Sequence, residues 1–190
     1  MRARCAPAMR HLPNLITLLR LGLVPVVAVT IANGAFAAAL AAFLLAAVSD
    51  FADGWIARRF GLTSRLGALL DPVADKLGMF VATVALAWHG LVPVWLAVAI
   101  VGRDVVIVAG AAAYRLVRGD LDIAPTRLSK LNTVVEFTVL LLALAAGAGW
   151  IAGGGGLHAL FALALATVAA SGVQYVWLWG RKALAGRGAR

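Results

Sequence analysis

Long apolar runs separated by short polar or glycine-containing breaks make up most of the chain. Besides an apolar stretch near the N-terminus, the runs lie near 35–57, 66–88, 92–117, 128–150 and 157–179. Each holds about 20 or more mostly apolar residues, enough for a helix to cross the roughly 30 Å hydrocarbon core of a bilayer. Glycine marks the breaks at Asn33-Gly34, at His89-Gly90 and at 153–156, and glycine commonly ends helices. The pattern predicts membrane-spanning helices joined by short turns.

The apolar stretch near the N-terminus predicts a short interfacial helix that leads into a first span. Residues 11–32 read HLPNLITLLRLGLVPVVAVTIA and are interrupted by Arg20 and Pro25. A cleaved signal peptide also begins with a basic region and an apolar run, but its core typically lacks such interruptions. We therefore predict an all-α integral membrane protein with six transmembrane helices, forming a single membrane domain over 1–190. In an alternative with five spans, the first segment lies flat in the interface.

The composition agrees with a membrane protein and indicates which class of partner to expect. Hydrophobic residues make up 63% of the chain, against about 45–50% in soluble domains. The net charge of +9 is also typical of nucleic-acid binding, but here the basic residues flank apolar spans. We therefore expect anionic membrane lipids as partners, and no nucleic acid. The single cysteine, Cys5, allows no internal disulfide.

Lys and Arg are concentrated in alternate connecting segments. Fourteen of the 17 basic residues lie at 1–11, 58–65, 115–130 and 181–190, whereas the turns near 33, 89 and 153 carry none. Cytoplasmic loops carry an excess of Lys and Arg. We therefore expect a protein of the cytoplasmic membrane whose termini and basic loop at 58–65 face the cytoplasm. The tail at 181–190 is short and basic, and we expect it to be mobile.

Four of the eight acidic residues lie between residues 50 and 75, in or beside strongly apolar sequence. On helices, Asp50 and Asp53 share a face at i and i+3, and Asp71 and Asp75 share a face at i and i+4. The basic loop RRFGLTSR lies between the two pairs, so a helical hairpin would bring the pairs together. Charged groups at membrane depth are costly unless they are paired, hydrated or bound to metal. The cluster therefore indicates a functional site.

A divalent cation would relieve the repulsion between four converging carboxylates. The acidic stretch contains no His or Cys, and hard oxygen ligands favour Mg2+, Mn2+ or Ca2+ over zinc. Small residues at Gly54, Ala57 and Gly67 leave room for a ligand against the backbone. Arg58 offers a planar donor fork suited to phosphate. The alternative is a buried ionic cluster that only stabilises a helical bundle.

The same residues carry a family resemblance. They match the pattern D-x2-D-G-x2-A-R-x8-G-x3-D-x3-D without departure, at Asp50, Asp53, Gly54, Ala57, Arg58, Gly67, Asp71 and Asp75. This pattern resembles that of the CDP-alcohol phosphatidyltransferases, which implies one or two divalent metal ions and a bound CDP group. The resemblance implies Mg2+ or Mn2+ on the four aspartates, CDP contacts from the other four residues, and Asp75 as general base. It also implies a homodimer.

Two further segments point to a branch of this family and to an acceptor. PNLITLLR resembles the start of its phosphatidylglycerophosphate and cardiolipin synthases. PTRLSKLNT at 125–133 resembles a segment of CMP-forming cardiolipin synthases, through Ser129, Lys130, Asn132 and Thr133. Phosphatidylglycerophosphate synthases usually have Gly-Lys-x-Lys-Thr in this place. One basic residue fewer suits an acceptor with less charge than glycerol 3-phosphate.

Arg103 and Lys130 are the candidate acceptor-binding residues. Arg103 lies deep in the fourth predicted span, directly before Asp104. A buried cation there suits a phosphate group of the acceptor, and the alternative is an internal ion pair between neighbouring helices. Lys130 belongs to a basic segment near the place where an anionic substrate would enter from the inner leaflet.

Together these features predict an enzyme that transfers a phosphatidyl group from CDP-diacylglycerol to an alcohol and releases CMP. Phosphatidylglycerol is the expected acceptor, giving cardiolipin, and glycerol 3-phosphate is the alternative. An ion or proton transporter is an alternative of another class, because intramembrane acids also form relays. A relay predicts acids distributed across the membrane, whereas these four lie toward one face beside a basic loop.

Overall fold

The computed structural model describes the backbone of residues 12–60, 65–118 and 126–185, and the side chains of residues 18–50, 75–112, 126–179 and 181. Within these ranges the chain forms six helices and no strand. The helices are α1 (Leu12–Ala32), α2 (Phe36–Phe60), α3 (Arg65–Trp88), α4 (Val94–Arg118), α5 (Arg127–Gly147) and α6 (Gly155–Ala185). The prediction of an all-helical fold is confirmed, and α2 to α6 begin within one turn of their predicted starts.

Three of the described helices are long and apolar enough to cross a membrane, over Val94–Ala112, Arg127–Gly147 and Gly155–Trp179. Shorter apolar stretches cover Leu18–Ala32 and Phe36–Asp50. Many large apolar side chains on these helices are exposed, as expected of surfaces that face lipid tails instead of water. The chain is an all-α membrane protein, and the count of six spans and their orientation stay predictions.

The N-terminal helix is continuous. α1 runs over 21 residues with Pro25 inside it, so the predicted interfacial helix and first span form one helix in the described residues. Membrane helices tolerate proline because neighbouring helices and local adjustments satisfy the freed backbone groups. The basic flank at 1–11 and the end of the basic tail, at 186–190, lie outside the described residues.

The helices group into two compact units. The first unit contains Met1–Leu91 and Leu140–Ala152, and in it α1 packs against both α2 and α3. Its core consists of apolar side chains with little or no exposure, such as Ile31, Leu40, Leu86 and Leu144. α1 therefore lies beside both helices that carry the acidic pairs.

Two tight glycine turns end helices of the first unit. Gly34 has a φ of +69° and Gly90 a φ of +72°, in the left-handed region that favours glycine. At each turn the following residue donates its N–H to a carbonyl five residues earlier, Ala35 to Thr30 at 2.9 Å and Leu91 to Leu86 at 3.0 Å. This is the glycine-ended helix cap in which the last carbonyls are satisfied, and it explains why α1 and α3 stop at these glycines.

The second unit contains Val92–Val139 and Gly153–Arg190, and in it α4 packs against α6. Its core combines apolar side chains such as Leu96 and Ala164 with several buried polar ones. The buried polar side chains on α4, α5 and α6 are Arg103, Asn132, Glu136, Thr167 and Ser171. Because buried polar groups need partners, this core is specified by hydrogen bonds as well as by packing.

Candidate active site

The two acidic pairs lie on neighbouring elements of the first unit. Asp50 and Asp53 belong to α2, and Asp71 and Asp75 belong to α3. Both helices pack against α1. Each of the two helices carries one acidic pair, and the helical hairpin stays a prediction because the connection at 61–64 lies outside the described residues.

Arg20 of α1 forms an ion pair with the first of these aspartates. Its Nη1 lies 2.7 Å from Oδ1 of Asp50, and the side chain of Arg20 is 4% exposed while that of Asp50 is 53% exposed. An arginine keeps its proton in proteins, so its burial in an otherwise apolar helix requires a counter-charge. Asp50 supplies that counter-charge from the neighbouring helix.

Asp75 of α3 interacts electrostatically with this ion pair. Its side chain is exposed, and Asp50, Arg20 and Lys76 all contribute to its electrostatic environment. Asp50, from the first acidic pair, thus contacts Arg20 directly, and Asp75, from the second, lies within electrostatic range of both. Both carboxylates offer hard oxygen ligands of the kind that Mg2+ and Mn2+ prefer.

The remaining predicted site residues lie outside the described side chains. Asp53, Gly54, Ala57 and Arg58 belong to α2, and Gly67 and Asp71 belong to α3, by their backbone positions. Half of the predicted metal ligands, Asp50 and Asp75, can therefore be placed. The complete carboxylate set and the CDP contacts stay predictions.

Arg103 is the centre of a hydrogen-bonded cluster in the second unit. It is 6% exposed, and its Nη1 donates to Oδ1 of Asp104 at 2.7 Å. Its Nη2 donates to Oγ of Ser129 at 2.7 Å and to Oγ of Ser171 at 2.8 Å. The cluster joins α4, α5 and α6 through one guanidinium group.

Packing around Arg103 is close. Its Cζ lies 6.0 Å from the centroid of the Tyr175 ring, within range of a cation–π contact. A Cβ added at Gly172 would lie 3.8 Å from its Cγ. Arg103 pairs with Asp104, the next residue on the same helix, which differs from the pair between neighbouring helices that the sequence left open. The hydroxyl groups of Ser129 on α5 and Ser171 on α6 accept further hydrogen bonds from the guanidinium.

The segment that resembles cardiolipin synthases begins α5. Oγ of Thr126 accepts a hydrogen bond from the backbone N–H of Ser129 at 3.1 Å, which caps the start of this helix. Lys130 is exposed. Asn132 is fully buried, and its Nδ2 donates to Oε1 of Glu136 at 2.6 Å. A neutral amide therefore lies against a carboxylate one turn inside the helix.

Sequence reasoning missed two of these residues. It recognised Arg20 as a basic residue within a span but did not link it to the acidic hairpin. It did not single out Ser171, which lies 68 residues from Arg103 in the chain. Of the two, only Arg20 could have been identified from the sequence, because a lone arginine in an apolar run requires a carboxylate partner.

A model of the CDP-alcohol phosphatidyltransferase domain family matches residues 10–178 of the chain. The chain belongs to the CDP-alcohol phosphatidyltransferase family. The match includes both acidic pairs and also Arg20, Arg103 and Asn132. The family pattern found in residues 50–75 therefore lies inside a match that extends over nearly all of the described structure.

Curated relatives of the chain are named as cardiolipin synthases. The chain is 34% identical to human cardiolipin synthase (CMP-forming) over 187 residues, which cover 90% of this chain and 62% of the human protein. It is 32% identical to cardiolipin synthase (CMP-forming) of Streptomyces coelicolor over 165 residues, covering 82% of this chain and 74% of that protein. The chain thus spans less than two thirds of the length of the human relative.

Proposed function

We propose that the protein transfers the phosphatidyl group of CDP-diacylglycerol to an alcohol, releasing CMP. The observation that carries this proposal is the complete acidic pattern of residues 50–75 within a family match over 10–178. The ion pair of Asp50 with Arg20, and the electrostatic interaction of both with Asp75, support it, since these two aspartates belong to different acidic pairs. The lipid substrate would keep its acyl chains in the bilayer, with its diphosphate at the hairpin.

The carboxylates of the hairpin fit a hard divalent cation. Asp50, Asp53, Asp71 and Asp75 would hold Mg2+ or Mn2+, which when bound neutralises charge on the diphosphate and on the leaving CMP. Arg58 would support the diphosphate with its planar fork, and Gly54, Ala57 and Gly67 would leave room for the CDP group. The ligand set and the metal are part of the proposal.

The reaction itself needs a base and an in-line attack. A hydroxyl of the acceptor would attack the phosphorus that carries the diacylglycerol, and the bond from that phosphorus to the CMP oxygen would break. Asp75 would take the proton of the attacking hydroxyl. A carboxylate is a weak base, but it needs only to accept the proton as the transition state forms.

We propose phosphatidylglycerol as the acceptor, which makes the product cardiolipin. The names of the relatives support this choice, and so does the neutral Asn132 beside the carboxylate of Glu136. The buried cation Arg103 is already paired with a carboxylate, so it adds little net positive charge. A phosphodiester with one negative charge suits such surroundings better than the phosphomonoester of glycerol 3-phosphate.

The test is an acceptor assay with purified protein in detergent or vesicles. We expect CMP release from CDP-diacylglycerol with phosphatidylglycerol in the presence of Mg2+ or Mn2+, and no release in excess EDTA. Lipid analysis of the same reaction should show cardiolipin.

The arms of this assay separate the alternatives. Release of CMP only with glycerol 3-phosphate would reject phosphatidylglycerol as acceptor and retain phosphatidyl transfer. Full activity in excess EDTA would reject the metal site. No release with any alcohol, from protein that remains folded, would reject the proposed function.

A further inference from the structure

Arg20 is a buried cation that the reaction proposed above does not use. It comes from α1, which carries none of the four aspartates, and it reaches Asp50 on α2. Its Nη1 lies 2.7 Å from Oδ1 of Asp50, and its charge also acts on Asp75. With 4% of its side chain exposed, it is far more buried than the carboxylate that it pairs with.

This burial has an electrostatic consequence for the hairpin. Like-charged carboxylates at short distance repel one another, and the repulsion is strong where water is scarce. Arg20 cannot lose its proton, so it supplies a constant positive charge to Asp50 and Asp75. A divalent cation supplies positive charge only while it is bound.

We infer that Arg20 is the resident counter-cation of the carboxylate site, holding the side chain of Asp50 in place when no divalent cation is bound. Arg20 is thus a positioning residue and not a catalytic one. The inference rests on the proposed function, because it assumes that the same carboxylates bind Mg2+ or Mn2+. Its consequence is that the hairpin stays assembled while metal and nucleotide exchange.

A different role would give the opposite result for metal binding. Groups that orient a metal ligand typically cost about 10–100-fold in metal affinity when they are removed. A counter-cation instead competes with the metal, so its removal leaves a more negative site that binds Mn2+ at least as tightly. The direction of the change in Mn2+ affinity therefore separates the two roles.

The experiment compares Arg20→Gln with the unchanged protein by thermal unfolding, in excess EDTA and in saturating Mn2+. In EDTA we expect the midpoint of Arg20→Gln to fall by about 5–10 °C, since one partner of a buried ion pair is lost. In Mn2+ we expect most of this loss to be recovered, so that the Mn2+-induced rise is larger than in the unchanged protein. Titration of free Mn2+ should show unchanged or tighter binding.

Arg103→Gln is the matched control, because Arg103 is also buried and also lies 2.7 Å from a carboxylate oxygen. It should lower the midpoint by a similar amount with and without Mn2+. Arg20→Lys keeps the positive charge, so its unfolding midpoint in EDTA should lie close to that of the unchanged protein. An equal loss in both conditions for Arg20→Gln, or weaker Mn2+ binding, would overturn the inference.

The double variant Arg20→Gln with Asp50→Asn covers the case in which Arg20→Gln does not fold. Removing both partners leaves no uncompensated charge from this pair, so the double variant should unfold at a higher temperature in EDTA than the sum of the single losses predicts. A double variant that fails to fold while Asp50→Asn folds would overturn the counter-cation role. Absence of Mn2+ binding by the unchanged protein would instead contradict the metal site of the proposed function.

Discussion

At the scale of single residues, the roles of Asp50 and Asp75 differ in the proposed reaction and can be separated. If Asp75 takes the proton, Asp75→Asn should lower single-turnover rate far more than it weakens binding of CDP-diacylglycerol. General-base contributions are typically about 10²–10⁴-fold in rate. Asp50→Asn should mainly weaken binding of Mn2+ and nucleotide, because that carboxylate is a proposed ligand.

Both quantities should be measured at saturating Mg2+ for each variant. Near-normal turnover of Asp75→Asn would place the base elsewhere. A variant that fails only through lost nucleotide affinity would make Asp75 a metal ligand without a role in proton transfer. Asp75 is exposed and interacts electrostatically with Asp50 and Arg20. Either result therefore also shows which role Asp75 has beside this ion pair.

The sequence predicted which residues carry charge in the membrane, but not their partners. The spacing of the four aspartates is a local property of two helices, and it can be read without a structure. The pairing of Arg20 with Asp50 joins residues 30 positions apart on different helices. The contact between Arg103 and Ser171 spans 68 positions. Such contacts depend on how the helices pack, which hydrophobic periodicity does not determine.

At the scale of helices and turns, Gly147 allows a close approach at the end of α5. A Cβ at this position would lie 2.7 Å from Cδ1 of Leu91 and 2.9 Å from Cγ of Phe36. The Cδ1 methyl of Leu91 can rotate away. Cγ of Phe36 belongs to the rigid ring and can move only with the whole ring. We expect Gly147→Ala to destabilise the protein by about 1–3 kcal/mol, the range for overpacking.

Gly22→Ala is the control for this substitution. Gly22 lies within α1, and a Cβ there would have nothing within 4 Å. We expect it to be neutral or to stabilise by up to about 1 kcal/mol, since alanine is the better helix former. Thermal unfolding of both variants in one detergent gives the comparison. A Gly147→Ala variant as stable as the unchanged protein would show that Phe36 can move aside.

The positions of the helix ends were predictable because short-range chemistry decides them. Gly34 and Gly90 end α1 and α3 through the positive φ that glycine adopts at low cost. The continuity of α1 was less visible in the sequence, since Arg20 and Pro25 interrupt its apolar pattern. The ion pair with Asp50 gives the buried arginine a counter-charge from another helix, and α1 runs unbroken from Leu12 to Ala32.

At the scale of the whole molecule, the distribution of Lys and Arg predicts the orientation in the membrane. In the described structure a basic residue lies over a tryptophan at the end of α6. Cζ of Arg181 lies 4.7 Å from the ring centroid of Trp177, and both side chains are exposed. A tryptophan with a basic partner at a helix end is typical of the membrane–water interface.

The orientation can be tested with the chain's own cysteine. In the six-span arrangement Cys5 is cytoplasmic, so a membrane-impermeant maleimide should label it only after the cells are permeabilised. In the five-span alternative the N-terminus lies on the outer side, and Cys5 should be labelled in intact cells.

With Cys5→Ser as background, Gly154→Cys should be labelled in intact cells and Arg181→Cys only after permeabilisation. Both positions are exposed in the structure, so a lack of labelling reports the side of the membrane. Protection of Gly154→Cys in intact cells, with labelling after permeabilisation, would contradict both arrangements and the cytoplasmic placement of the carboxylate site.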